Sequence, residues 1–270
     1  MTEKKNEAKS YLGFPKPLLG QESLRLEFIA NKEGFIALNK PSGVAVRQHP
    51  WNATNVHLDG CLNVQLKEAK PEFVSTGAEL FGSIYPLDPE ISGIALFGKD
   101  KTSIAHLRNA FGSSFIKFEF LFVAFSSEAL GSSFVNDTAL LAHRTKSKMI
   151  PSSAKGKRSK TAFRRLSGEE TGWGLWEANT QLFRPHQVRL HASLSGLKLM
   201  GETLYEGVPA PTYASIGKRK KAQDLNTEIF KGLALHLEKA SFSIENDPKE
   251  TISAEMPRGL KTALNYLNLV

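Results

Sequence analysis

A proline-braced loop that runs straight into an apolar strand is the strongest constraint in this sequence. In Ser83-Ile84-Tyr85-Pro86-Leu87-Asp88-Pro89-Glu90-Ile91-Ser92-Gly93, a proline stands on each side of the Leu87-Asp88 pair. Proline fixes its own φ and drives the preceding residue out of the helical region, so the loop is extended and stiff. Ser92-Gly93 punctuates it, and Ile94-Ala95-Leu96-Phe97 follows as a short apolar run that reads as a buried strand. Such a chain must lay that strand inside a sheet and leave Asp88 at its mouth. A carboxylate held there can serve as a nucleophile or a base. Taken alone, the stretch fits an ordinary turn aspartate better, because Asp and Pro are common turn residues.

The remaining pattern predicts what surrounds that strand. Leu24, Leu26 and Phe28 alternate, and Phe35-Ile36-Ala37-Leu38 follows Gly34, which predicts a two-stranded hairpin. Asn39-Lys40-Pro41-Ser42-Gly43 is a turn, and Val44-Ala45-Val46 resumes extended chain. Leu62, Val64 and Leu66 suggest a short helix. Asp100 to Thr102 can cap another, with Ile104, Leu107 and Phe111 on one face and Gly112 as its stop. Phe115 to Phe125 is a strand, and Thr161-Ala162-Phe163 and Gly174 to Ala178 are two more. His186 to Leu197 reads as a helix with a Leu190, Leu194, Leu197 stripe and a terminal Gly196. Leu233 to Leu237 and Ser241 to Ile244 form a last strand pair, and Leu260 to Leu267 a small helix. Strands outnumber helices and come as hairpins, so the expected class is α+β with a mixed, mostly antiparallel sheet and flanking helices. Residues 1–22 read as a flexible N-terminal arm and 23–270 as one catalytic domain.

With 270 residues and 41% hydrophobic content, the chain can build a sizeable core. Met1 to Ser10 are polar and charged, so neither a signal nor a transit peptide is expected, and no apolar run is long enough to span a bilayer. The single cysteine, Cys61, excludes an internal disulfide and fits a reducing compartment. These features together predict a cytoplasmic protein, and a monomer is expected, though none of them fixes the oligomeric state. The net charge of +8 suits a polyanion, and its distribution sharpens the point. From Arg144 to Arg165 come Lys146, Lys148, Lys155, Lys157, Arg158, Lys160 and Arg164 with no acid among them. A second cluster is Lys218-Arg219-Lys220-Lys221. Either these are two solvated loops or they track the phosphates of a nucleic acid.

Familiar cofactor motifs fail. Gly172-Trp173-Gly174 is followed by Glu177 where a dinucleotide loop needs a third glycine, and Gly156-Lys157 lacks the other residues of a Walker loop. His186 and His191 lack a metalloprotease spacing, and one cysteine makes no zinc cluster. No metal or cofactor is expected. Four segments, in order, resemble the RluA-like family of RNA pseudouridine synthases. They are Phe35-Ile36-Ala37-Leu38-Asn39-Lys40-Pro41-Ser42-Gly43; Leu87-Asp88 with Ser92-Gly93 and Lys99; Arg184-Pro185-His186-Gln187-Val188-Arg189-Leu190-His191; and Gly201-Glu202-Thr203-Leu204-Tyr205-Glu206-Gly207. The likeness spans roughly residues 24 to 258.

The resemblance implies that Asp88 is the catalytic aspartate and Arg189 its partner. A guanidinium binds a carboxylate through two parallel hydrogen bonds and favours its ionised form, and the first turn of a helix is a suitable place for an anion to approach. The implied reaction isomerises uridine within RNA without a cofactor, after the target leaves its stack. Arg184, His186 and Gln187 are expected at the substrate, and Lys155, Lys157, Arg158 and Lys160 on the RNA backbone. Lys40 belongs either to the pocket rim or to a solvent-exposed turn. The chain also departs from the family. Tyr85-Pro86 stands where the family has His-Arg, and a proline cannot enter the RNA stack as a cation; Tyr85 is the residue left to stack there. Glu119 falls where a tyrosine packs on the target uracil, and a carboxylate has no stacking face; a shift of one residue offers Phe118 or Phe120. Phe183 and Pro185 replace a glycine and a threonine around Arg184. Three readings follow: an active synthase with an unusual pocket, an RNA-binding relative without turnover, and a vestigial cleft whose basic segments bind another acidic surface.

Overall fold

The computed structural model describes residues 11–48, 51, 54–218, 221, 224–243 and 249–270. The described residues form fourteen strands and five helices. In chain order the first are β1 (Tyr11–Phe14), β2 (Leu24–Asn31), β3 (Phe35–Lys40), α1 (Leu58–Lys67), α2 (Pro71–Val74), β4 (Gly82–Ser83), β5 (Ser92–Gly98) and α3 (Lys101–Gly112). Then come β6 (Lys117–Ser126), β7 (Ser133–Asn136), β8 (Leu140–Ala142), β9 (Met149–Pro151), β10 (Thr161–Gly168) and β11 (Gly172–Thr180). The last are α4 (Gln187–Leu194), β12 (Lys198–Leu199), β13 (Leu235–Phe242), β14 (Glu250–Ser253) and α5 (Arg258–Tyr266). None of these helices is long and apolar enough to cross a membrane.

One sheet runs in the order β1-β2-β3-β5-β13-β6-β11-β10-β7, with β4, β14 and β12 attached to β5, β13 and β6, and β8-β9 form a separate hairpin. Every pairing among the described strands is antiparallel except β13 with β5. This is the mixed, mostly antiparallel α+β sheet that the hairpin pattern predicts. The strand after the proline loop, β5, is buried along its whole length and lies between β3 and β13. Gly93 makes that parallel neighbour possible: its φ is +119°, and a Cβ there would collide with the Leu237 backbone.

Alternation along β6 divides the core. Phe118, Phe120 and Phe122 join Trp176, Phe163 and the α4 residues Val188 and Ala192 in one apolar cluster; Leu121 and Val123 join Leu175 and the α5 residues Leu260 and Leu264 in another. α3 begins where the sequence predicts, with Asp100 Oδ1 accepting the Ser103 amide at 2.8 Å. It ends at Gly112 with Ser113 as its C-cap, and the chain turns at Ser114, whose φ is +63°.

Four expectations require correction. Tyr11–Phe14, assigned to the loose arm, is an edge strand paired with β2, and its Leu12 and Phe14 fill the core. The stretch between the Phe115 and Thr161 strands, to which the pattern assigns no strand, contains β7, which pairs with β10, and its basic segment holds the β8-β9 hairpin. The last strand pair is one continuous strand, β13, whose register slips between Leu237 and Lys239; its partner is β14, and Ile244 lies outside the described residues. α4 ends at Leu194, short of the expected Leu197; Leu190 and Leu197 of the leucine stripe are buried as expected, but Leu194 is exposed and Val188, Arg189 and Ala192 complete the inward face.

Candidate active site

The Asn39-Lys40-Pro41-Ser42-Gly43 turn grips the proline loop. Lys40 is neither a rim residue nor an exposed turn lysine. It is fully buried, and its ammonium donates to the carbonyls of Pro41 at 3.0 Å, Val44 at 2.8 Å and Pro89 at 3.0 Å. The Gly43 amide also donates to the Pro89 carbonyl, at 2.8 Å, and the Ser42 hydroxyl to the Glu90 carbonyl, at 2.7 Å. Burial pulls the Lys40 pKa down from 10.5 to about 7, against Asp88 and Glu90, which raise it. Three acceptors around one nitrogen need three N–H groups, which only the ammonium form has.

Asp88 is 5% exposed at one wall of a cavity of about 130 Å³, lined also by Ala45, Val46, Arg47, Gln48, Pro86, Leu87, Pro89 and Pro185. Its two oxygens share the His186 amide, each at 3.1 Å. His186 caps α4 with φ 56° and ψ 10°, a left-handed conformation costly for a residue with a Cβ; backbone strain of this kind gathers at functional sites. Its ring is held by the Tyr205 hydroxyl at 2.9 Å and lies against Trp51, with centroids 5.4 Å apart. Burial pushes the Tyr205 hydroxyl up to about 12, so it stays a neutral phenol.

Arg189 occupies the third helical position of α4, and its guanidinium is committed differently from expectation. The two-bond fork goes to Glu202, with Nε at 2.6 Å from Oε2 and Nη2 at 2.8 Å from Oε1. The remaining Nη1 is shared between Glu90 at 3.3 Å and Asp88 at 3.5 Å. The Asp88–Arg189 contact therefore exists as one long bond within a four-residue cluster, not as a paired fork. The geometric reason is the tight turn after Gly201, which aims the Glu202 carboxylate at α4 and lets it accept the Thr203 and Leu204 amides at 2.9 and 2.7 Å as well. Burial alone would raise the Glu202 pKa. The Arg189 bonds and charge and these two amides outweigh it and hold the carboxyl below its ordinary 4.5. Burial would likewise lower the Arg189 pKa, and the bonds to Glu202 with the charges of Asp88 and Glu90 keep it raised.

The other expected substrate residues are not among those that line the Asp88 cavity. Tyr85 is wholly buried, its hydroxyl donating to the Ile94 carbonyl at 2.8 Å and its ring packed on Phe111, Phe118 and Phe183. It has no face open to a base. Phe118 and Phe120 belong to the same cluster, where Phe183 meets both rings edge-on. Phe183, bulkier than the family glycine, thus fills the space behind the loop. Glu119 points from the opposite face of β6 and pairs with Lys239 at 3.4 Å. Gln187 is a brace: its amide nitrogen donates to the Lys160 carbonyl and the Thr161 hydroxyl, both at 3.1 Å, and its oxygen accepts the Arg184 amide at 3.0 Å. Arg184 is half-buried, and its Nε finds no hydrogen-bond partner among the described residues.

The Gln187 brace ties α4 to the basic segment. Lys155, Lys157, Arg158 and Lys160 are all exposed. Arg158 and Lys160 line a cleft of about 920 Å³ with Lys117, Asp137 and Asn179, whereas Lys155 and Lys157 stand outside that lining. Of the second basic cluster, Lys218 lies over the Tyr266 ring, and Arg219 and Lys220 fall outside the described residues. Sequence reasoning left Glu202, Glu90 and Tyr205 off the site. Glu202 and Tyr205 stood in a recognised motif, and the signal was a lone buried arginine that one aspartate could not saturate.

Solved structures share this architecture. Human RNA pseudouridylate synthase domain containing 4 aligns over 90% of this chain and 93% of its own, with TM-score 0.67 and 16% identity. Human RNA pseudouridylate synthase domain containing 1 aligns over 86% and 84%, with TM-score 0.58 and 15% identity. The domain thus has the pseudouridine synthase fold. A family model described as RNA pseudouridylate synthase matches residues 34–194. The chain belongs to that family of RNA-modifying isomerases, in its RluA-like branch. Among curated relatives, ribosomal large subunit pseudouridine synthase D of Zymomonas mobilis is 24% identical over 94% of this chain and 76% of its own length. RNA pseudouridine synthase 2, chloroplastic, of Arabidopsis thaliana is 24% identical over 75% and 54%. Ribosomal large subunit pseudouridine synthase C of Rickettsia prowazekii is 25% identical over 69% and 58%. The chain spans about three quarters of the first relative and little more than half of the other two.

Proposed function

We propose that this protein converts uridine to pseudouridine in structured RNA, with Asp88 as the reacting carboxylate. The observation that carries the reading is Asp88 itself, buried at the wall of a small cavity with both oxygens on one backbone amide and a guanidinium at 3.5 Å. In one route the carboxylate attacks ribose C1′ and the C1′–N1 bond breaks, leaving an ester and a uracil anion; in the other it takes the C2′ proton as the same bond breaks. The uracil turns and C5 bonds to C1′; in the first route the C1′–O ester bond breaks and frees the carboxylate, and in the second the proton goes back to C2′. C5 loses its hydrogen and N1 gains one, so substrate and product are isomers and no cofactor enters. The rigid grip of Lys40 and His186 on the loop holds the carboxylate still, which favours a reaction that depends on orientation. Asp88, Glu90 and Glu202 around Arg189 leave the guanidinium neutralised, so its work is positioning.

The relatives' names point to ribosomal RNA as the substrate class, with transfer RNA as the other structured RNA of the right kind. Extruding a base is cheapest in loops or distorted helices, and the exposed Arg158 and Lys160 beside the large cleft suit the backbone of such RNA. We infer a single catalytic domain, β1 included, that acts as a monomer. A second reading, an RNA-binding relative without turnover, draws on Pro86 and on the filled aromatic cluster around Tyr85. The test is incubation of the protein with total RNA from a strain lacking its gene, followed by chemical mapping of pseudouridine. A site made by the native protein and absent with Asp88→Asn supports the enzyme; no new site, with RNA binding indifferent to Asp88→Asn, supports the binder.

A further inference from the structure

Arg47 has no place in the chemistry above, yet it lines the same cavity as Asp88, facing the proline loop at Pro86 and Leu87. Its backbone is fixed from behind, because Ala45 and Val46 accept the Leu58 and Asp59 amides of the α1 terminus at 2.9 and 3.0 Å. The side chain is half-buried, and its Nε and Nη2 are shut off from solvent without a hydrogen-bond partner among the described residues. An unpaired buried N–H is costly, and more so on a charged group, so an arginine left in this state is prepared for an acceptor that arrives. The nearby carboxylate cannot serve fully. Asp59 spends one oxygen on the Ser83 amide and the other on the Ser83 hydroxyl, each at 2.6 Å. Burial lowers the Arg47 pKa, Asp59 raises it and a second cation, Arg108, lowers it. Arg108 is itself anchored by Nε to the Ser83 carbonyl at 3.0 Å. Arg47 thus feels a second cation and one carboxylate that is already engaged, which leaves its charge incompletely balanced. An anion with several oxygens meets that need better than a neutral base edge.

We propose that Arg47 binds a phosphodiester flanking the nucleotide that enters the Asp88 cavity, supplying beside the proline loop the cation that Pro86 cannot. The proposal deepens the RNA reading and rests on it. The full chain, as wild type, Arg47→Gln, Arg47→Lys and Asp88→Asn, is titrated with polyuridylate over a salt series, with thermal unfolding of each. Arg47→Gln should lose about tenfold in affinity near ~0.1 M salt, and its log affinity against log salt should be shallower by about 0.7, one phosphate on a single strand. Arg47→Lys, which keeps the charge without the fork, should restore the slope and part of the affinity; it carries the test if Arg47→Gln unfolds early. Asp88→Asn serves as the turnover control for the mapping below. Affinity within twofold of wild type for Arg47→Gln overturns the proposal. So does a loss of affinity with an unchanged slope, which marks contact with an uncharged group, and so does a wild-type protein that does not hold polyuridylate. Pseudouridine mapping in parallel separates the two claims. Turnover that depends on Asp88 but ignores Arg47 leaves the enzyme standing without the phosphate contact. The Arg47 deficit without any turnover leaves the contact standing without the enzyme.

Discussion

Replacing Glu202 by glutamine isolates what holds Arg189. The wild-type carboxylate accepts four bonds: Arg189 Nε and Nη2, and the Thr203 and Leu204 amides. A glutamine of the same shape must turn either a donor or a single oxygen toward a fork of donors, leaving a guanidinium that is 2% exposed partly unpaired. Breaking a buried ion pair from one side costs about 3–5 kcal/mol. The lower end applies, because Nη1 keeps Glu90 and Asp88. For 270 residues the unfolding entropy is about 570 cal/mol/K, so ~3 kcal/mol lowers Tm by about 5 °C. Glu202→Asp, which keeps the charge on a shorter stem, should lose less than half of that. Acid unfolding gives a second readout. The folded Glu202 pKa lies below 4.5, so the native state binds fewer protons there; its stabilisation is complete above about 4.5 and is lost as pH falls through the folded value. Glu202→Gln should flatten the acid limb by that contribution. Thermal and urea unfolding from pH 3 to 8 measure both effects. A Tm within 1 °C of wild type at pH 7, together with an unchanged acid limb, would refute the claim that Glu202 is the main partner of Arg189.

The same structural logic extends to other positions. Lys40→Met leaves the Pro41, Val44 and Pro89 carbonyls without their donor and should cost about 3 kcal/mol in denaturant unfolding. With a folded pKa near 7 against 10.5, the native state binds fewer protons in that window, so this lysine's contribution improves as pH rises through it, and Lys40→Met should remove that slope. Tyr85→Phe loses only the bond to Ile94, about 1 kcal/mol by thermal unfolding, and leaves RNA affinity unchanged in filter binding; a large affinity loss would mean that the ring does reach a base. Gly93→Ala drives a Cβ into the Leu237 backbone from a positive φ and should yield little soluble protein, as judged by expression and circular dichroism. Arg158→Gln with Lys160→Gln should reduce the salt slope of RNA binding by about 1.4, two phosphates' worth, at unchanged Tm.

Much of the local structure was legible along the chain, because it depends on neighbours within a few residues. Asp100 caps α3, the Leu24 and Phe35 runs pair as a hairpin, the run after Pro89 becomes the buried β5, and α5 forms where its apolar positions recur. The four motif segments also name most of the residues that converge around Asp88. What the linear pattern could not decide is which charge faces which. Arg189 and Asp88 were expected as a fork, yet the fork belongs to Glu202, since the direction of a side chain after the Gly201 turn follows from how β12 and α4 pack and not from spacing. Tyr85 and the phenylalanines of β6 look alike to sequence reasoning whether they line a pocket or fill a core. Only the sheet's alternation, closed over them by Phe183, places them inside. Lys40 and Arg47 make the same point in opposite ways. Both stand within one short segment, and tertiary packing surrounds the first with three carbonyls while leaving two nitrogens of the second without an acceptor among the described residues.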